Sequence, residues 1–92
     1  MNKMELGEFI ENFANQFDET NLDVFTAETR FKELEEWSSV EGFLIIVMTE
    51  EKYHVRIKAD DVRNSQTIND LYKIVESEYN KMMTNNTVKT LQ

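Results

Sequence analysis

Hydrophobic side chains recur at helical spacing near the start of the chain. Leu6, Phe9, Ile10, Phe13 and Phe17 follow one another in steps of one, three or four residues, with acidic and amide side chains between them. This spacing places all five on one side of a helix. It predicts an amphipathic helix over residues 4–18 whose apolar stripe belongs to the core.

The next segment, residues 19–36, is mostly polar and lacks a helical or alternating pattern. Phe25, Phe31 and Leu34 are its isolated apolar anchors. The pattern predicts a long ordered loop with a helical turn around residues 27–32. Loops beyond about 12–15 residues are uncommon in compact domains and usually carry function.

Residues 38–53 contain the most informative pattern. Ser38-Ser39-Val40-Glu41 matches a capping box, in which Ser38 accepts from the backbone three residues on and Glu41 reaches back. Trp37 precedes the cap and is placed to pack on the first helical turn. The apolar run 43–48 covers almost the whole circumference of a helix, so a helix here is expected to be central.

A β-hairpin is the rival interpretation of the same segment. Residues 43–49 are rich in β-branched side chains, and residues 53–58 alternate between apolar and polar. The intervening turn, residues 50–52, lacks the Gly, Asn or Asp that tight hairpin turns need. Local rules therefore favour the helix and leave the hairpin open.

Two further helices are indicated downstream. Residues 59–64 are typical of one or two helical turns, and Thr67 with Asp70 forms a second capping box. The helix that it opens is predicted to run to about residue 80, with this apolar face: Ile68, Leu71, Tyr72, Ile74, Val75 and Tyr79. Residues 81–92 are polar and uncapped. We therefore interpret residues 1–80 as one domain and residues 81–92 as a frayed tail.

Composition excludes several classes of protein. The 92 residues include 18 acidic and 10 basic side chains, a net charge of -8, and no cysteine. Disulfides, thiolate zinc sites and a cysteine nucleophile are excluded, and the acidity argues against nucleic-acid binding. No apolar run approaches the ~20 residues of a membrane span, and no signal-peptide core follows the start. We expect a cytoplasmic protein, without a membrane role, whose partner is basic.

Catalytic chemistry is poorly represented, so we do not expect an enzyme. The lone histidine, His54, is interpreted as structural or solvated rather than as a general base. There is no glycine-rich phosphate loop and no cluster of metal ligands. Ser39 is suggestive, because the positive end of a helix favours a phosphate ester in the first turn. Capping alone would explain Ser38 and Glu41.

The pattern resembles the acyl carrier protein family over about residues 4–80. The resemblance rests on four segments. An apolar-anchored loop and a serine motif at a helix start occupy residues 31–41, and an acidic helix end followed by a Val/Ile segment occupies residues 50–57. An acidic short helix begins at residues 59–62, and a Thr-initiated last helix begins at residues 67–71. It implies an all-α fold, an acyl-carrier-like four-helix bundle with a long loop between helices 1 and 2 and a short third helix. It also favours the helix over the hairpin.

The resemblance implies a function as well. Ser39 would carry a covalent 4′-phosphopantetheine arm, added by a phosphopantetheinyl transferase, and the arm would hold acyl or aminoacyl intermediates as thioesters. Glu41, Glu50 and Glu51 would meet basic docking surfaces on acyl-loading and acyl-transfer enzymes. The candidates for an acyl pocket are all on the central helix: Phe43, Leu44, Val47 and Met48. A monomer and no bound metal are expected.

Some positions depart from the family pattern. Ser38 replaces the aspartate before the modified serine, Val40 replaces a leucine, Leu44 replaces an acid, and Lys52 interrupts the acidic run. The Trp-Ser-Ser variant points to a dedicated lipid or secondary-metabolite pathway. Two alternatives remain: an unmodified carrier-like interaction or regulatory module, and an unrelated α+β binding protein built on a hairpin over residues 43–58.

Overall fold

The chain folds into four α-helices in a computed structural model that describes the backbone of residues 3–91 and the side chains of residues 3–84. They are α1 (Leu6–Ala14), α2 (Ser39–Tyr53), α3 (Ala59–Asn64) and α4 (Ile68–Leu91). Short 3-10 turns at Leu22–Val24 and Phe31–Glu33 interrupt the loop between α1 and α2. Residues 3–91 contain no strand, so the all-α prediction is confirmed and the hairpin over residues 43–58 is wrong.

Helix α1 packs against α2 and α4, and α3 packs against α2 and α4. The core between them is strongly aromatic. Phe13 lies at its centre, fully buried, with its ring 5.2 to 6.3 Å from the rings of Phe9, Phe17, Phe25 and Phe31. The rings of Phe17, Phe25 and Phe31 come from the segment between α1 and α2, so this segment is part of the core rather than a connection laid over it.

Helix α1 is shorter than the predicted segment 4–18. After Ala14 the chain tightens: the amides of Gln16 and Phe17 donate to the carbonyls of Phe13 and Ala14, three residues back. This tighter turn keeps Phe17 buried although it lies outside the helix. Helical spacing alone does not distinguish the two geometries.

The long loop also completes α4. The amides of Ile68 and Asn69, at the start of α4, donate to the carbonyls of Thr29 and Ala27 at 3.1 and 2.9 Å. These amides would otherwise lack partners, because the first four N–H groups of a helix have no acceptor within it. The predicted capping box is confirmed beside them: the Asp70 amide donates to Thr67 Oγ1, and the Asp70 carboxylate accepts from the Thr67 amide.

Helix α2 ends at a tight reversal. His54 follows it with φ of 59°, in the left-handed region that histidine enters more readily than most side chains. The buried Thr49 fastens the chain after the turn, since its Oγ1 donates to the Val55 carbonyl at 3.0 Å and its own carbonyl accepts from the Val55 amide. Residues 55 and 57 are thereby directed into the core.

The predicted boundaries are correct for α3 and for the start of α4. Helix α4 continues to Leu91 rather than ending near residue 80, because no proline or glycine follows residue 80 to stop it. The predicted tail, residues 81–92, lies partly outside the described residues, and its fraying stays a prediction.

Candidate functional site

Ser39 is the first residue of α2, as predicted, and its side chain is exposed. Ser38 is the N-cap in extended conformation, and its carbonyl accepts from the Gly42 amide at 3.1 Å. The predicted capping box is wrong in its bonds, however. The Ser38 hydroxyl makes no capping hydrogen bond. The sequence pattern locates the helix start without fixing the side-chain rotamers.

The uncapped start leaves the first turn of α2 open to an anion. The first amides of a helix have no intrahelical acceptor, and the helix dipole places partial positive charge there. Within residues 3–84, no side chain accepts a hydrogen bond from these amides, and Ser38 makes no capping bond. An anionic group on Ser39 would therefore lie where helical geometry favours negative charge.

A groove of about 400 Å³ opens beside Ser39. Side chains of α2, α3 and the end of the long loop line it, and most of them are apolar. The lining consists of Lys32, Trp37, Ser39, Gly42, Phe43, Ile46, Ala59, Val62 and Arg63. Ser39 therefore presents a hydroxyl among lining residues that are mostly apolar.

Trp37 forms one wall of the groove. Its ring lies 5.1 Å from that of Phe31, edge to face, and 6.4 Å from that of Phe17. A Cβ added to Gly42 would be only 3.4 Å from the indole carbon Cζ2, so the indole lies against the α2 backbone where glycine leaves room. The predicted contact between Trp37 and the first turn of α2 is confirmed.

Two cationic side chains line the same groove and differ in their partners. The Arg63 guanidinium pairs with the Asp60 carboxylate one turn earlier in α3. The Lys32 ammonium donates to the backbone carbonyl of Arg63, linking the long loop to α3. Among residues 3–84, no carboxylate lies within ion-pairing distance of Lys32.

Glu41 does not reach back to the helix start. Its Oε1 is buried without a hydrogen-bond partner among the described residues. Burial raises the pKa of its carboxyl above the ordinary value, and the negative charges of Glu36 and Asp18 raise it further. The Glu36 carboxylate, in contrast, accepts from the Thr20 hydroxyl at 2.7 Å and from the amides of Asp18 and Glu19, which lowers its pKa.

We expect Glu41→Gln to raise the free energy of unfolding at pH 7 by about 0.5–1 kcal/mol, the usual size of a surface-charge effect. A raised pKa in the folded state means that the protonated form contributes stability below the unfolded-state pKa. That contribution is lost as pH rises through the folded-state pKa. Urea unfolding of Glu41→Gln and the wild type at pH 7 and pH 4 tests this prediction. The difference in free energy of unfolding between the two proteins should be smaller at pH 4, and an equal difference at both pH values would contradict the prediction.

The acidic end of α2 is divided between two environments. Glu50 pairs with Arg56 at 2.9 Å, and both side chains are substantially exposed. Glu51 is exposed and forms no ion pair or hydrogen bond among residues 3–84. Of these two predicted docking residues, Glu51 is the one whose charge has no partner in the part of the chain whose side chains are described.

The four acyl-pocket candidates occupy different places. Phe43 lines the groove with Ser39 and is 63 % exposed. Leu44 and Val47 are half-buried, Met48 is in the core, and none of the three lines the groove. Their role as an acyl pocket stays a prediction.

Several lining residues were not predicted from the sequence. Ile46 lies in the apolar run of α2, where spacing alone does not separate it from its apolar neighbours. Lys32, Ala59, Val62 and Arg63 come from other elements, and no local pattern indicates that they meet Ser39. They meet Ser39 because α3 packs on α2 and the long loop is joined to α3 through Lys32.

Among the described residues, no helix is long and apolar enough to cross a membrane, and no cluster of three or more His, Asp or Glu side chains is arranged to hold a metal ion.

Comparisons with known proteins do not assign the chain to a family. Scans against protein-family models, curated proteins and solved structures each returned no match.

Proposed function

We propose that this protein is an acyl carrier that bears a 4′-phosphopantetheine arm on Ser39. The observation that carries the proposal is the position of Ser39: exposed, in an uncapped first helical turn, at the edge of an apolar groove. The resemblance of the sequence to acyl carrier proteins supports the same assignment, and so does the order of the helices.

The residues around Ser39 fit such an arm. The first-turn amides of α2 suit a phosphodiester. Trp37, Phe43, Ile46 and Val62 offer apolar surface for the uncharged part of the arm. When bound, the arm supplies the thiol that a cysteine-free chain lacks and carries acyl groups as thioesters.

Attachment requires Ser39 to act as the acceptor in a group transfer. Its Oγ attacks the β-phosphorus of coenzyme A, and a new Oγ–P bond forms. The pyrophosphate P–O bond breaks, and adenosine 3′,5′-bisphosphate leaves. The hydroxyl proton passes to a base of the phosphopantetheinyl transferase, so this chain contributes only the nucleophile and its surroundings.

Partner enzymes would dock around Ser39. Val40 and Phe43 are 64 and 63 % exposed and lie three residues apart in α2, so they share one face of the helix. Glu51, in the last turn of the helix, adds a negative charge that no described residue pairs with. A partner that presents a small apolar contact flanked by Lys or Arg fits this surface, and charge complementarity would orient its approach.

Intact-mass spectrometry tests the proposal. After incubation with coenzyme A, Mg²⁺ and a promiscuous phosphopantetheinyl transferase, we expect a single phosphopantetheine adduct on the wild type. Ser39→Ala should abolish the adduct, because the nucleophile is lost. Ser38→Ala is the matched control and should retain it, since Ser38 precedes the helix and makes no capping bond.

An unmodified interaction module is the second candidate, favoured by Ser38 in place of the family's aspartate and by the exposed Val40 and Phe43. It predicts no adduct with several transferases, including that of the native host. It also predicts that Ser39→Ala retains biological activity, whereas Phe43→Ser loses it. Those results together would overturn the carrier proposal.

A further inference from the structure

We infer that Lys32 is a positioning residue for the arm: its ammonium pairs with the phosphodiester on Ser39 and holds the arm in the groove between α2 and α3. The inference rests on the proposed function and adds a specific contact to it. It assigns to the long loop a role in binding as well as in the core.

Lys32 lines the same groove as Ser39. Lys32 follows the buried Phe31, whose ring is fixed by Phe13 and Trp37 at 5.2 and 5.1 Å. The lysine therefore leaves a rigid part of the loop. Its side chain is half-buried, lines the groove together with Ser39, and reaches the last residues of α3.

Charge distinguishes Lys32 from the other cation in the groove. Arg63 already has a carboxylate partner in Asp60. Lys32 makes one hydrogen bond, to a neutral carbonyl, and an ammonium has three N–H donors. Among residues 3–84 the other lysines without an ion pair are exposed, whereas Lys32 is half-buried.

A phosphodiester on Ser39 would supply that counter-ion. The flexible lysine stem can turn its ammonium toward the phosphate while its methylenes remain on the apolar wall. The opposing interpretation is that Lys32 only fastens the loop to α3. The two differ in a measurable way, because a fastening role affects the unmodified protein and the modified protein equally.

Trp37 provides the measurement, since it is the single tryptophan of the chain and lines the groove. Acrylamide quenching of its fluorescence is recorded for the unmodified and modified forms of the wild type, Lys32→Met, Lys32→Arg and Lys52→Met. Intact mass first confirms the adduct in each sample. Lys52→Met is the matched control, because it makes the same charge change on an exposed residue in the last turn of α2.

The arm should shield Trp37 in the wild type, in Lys32→Arg and in Lys52→Met. In Lys32→Met the ratio of docked to undocked arm should fall by about two- to fivefold, the effect of one partly screened ion pair, so shielding should weaken. Quenching of the unmodified forms should be similar in all four proteins.

Three other outcomes would contradict the inference, and one of them would also contradict the carrier proposal. Equal shielding in modified Lys32→Met and wild type would overturn the inference and leave the carrier proposal intact. Equal loss of shielding in Lys32→Met and Lys52→Met would overturn it as well, because net charge would then be the cause. Absence of an adduct on the wild type would overturn the carrier proposal and the inference with it.

Discussion

Replacing Phe13 with alanine is expected to lower the free energy of unfolding by about 3–5 kcal/mol, the range found for buried Phe-to-Ala changes. Phe13 is fully buried, and its ring meets those of Phe9, Phe17, Phe25 and Phe31. The variant loses the transfer free energy of the ring and leaves a cavity bounded by α1 and the loop. Because small domains are stable by only about 5–15 kcal/mol, much of the protein would unfold at moderate urea concentration.

Phe43→Ala provides the matched control for this prediction. It makes the same chemical change at a ring that is 63 % exposed, and we expect a loss of about 0.5 kcal/mol or less. Urea unfolding followed by far-ultraviolet circular dichroism measures both. Similar losses for the two variants would contradict the placement of Phe13 at the centre of the core.

Thr49→Val is expected to lower the free energy of unfolding by about 1–3 kcal/mol, although valine has nearly the same shape. The Thr49 hydroxyl is within hydrogen-bond distance of two carbonyl oxygens that accept from it, those of Ile46 at 2.8 Å and Val55 at 3.0 Å. Thr49 is fully buried. The valine variant would leave the Val55 carbonyl without this donor at the reversal around His54.

Thr49→Ser restores the hydroxyl and loses one methyl group, which costs about 0.8 kcal/mol. Thermal and urea unfolding of the three proteins compares the two effects. If the serine variant were the less stable of the two, the methyl contact rather than the hydrogen bond would secure the turn, and the prediction would be wrong.

Much of the helical framework could be predicted from the sequence because its signals are local. The Thr67 capping box marks the start of α4, and the Ser38-Ser39 segment marks the start of α2. The end of α1 could not be predicted, since Phe17 keeps a helical spacing while the backbone changes to a tighter turn. Local propensity alone left both a helix and a hairpin open for residues 43–58. The structure has helix α2 over the first part of this segment and no strand in it.

The candidate site was predictable only in part, for a related reason. Ser39 and Phe43 share one helix, so their proximity follows from spacing. Lys32 and Val62 reach the same groove from the loop and from α3, through packing that no sequence pattern specifies. The predicted bond of the Glu41 carboxylate to the helix start is wrong, because residue type does not determine rotamer.

The loop between α1 and α2 has a consequence for changes in chain length. Its carbonyls at Ala27 and Thr29 bind the first amides of α4, and its rings at Phe25 and Phe31 fill the centre of the molecule. An inserted or deleted residue between these anchors would displace the rings from the core and the carbonyls from the α4 amides at the same time. Although surface loops usually tolerate insertions, this one is expected to keep a fixed length, so fusion partners and peptide tags belong elsewhere on the chain.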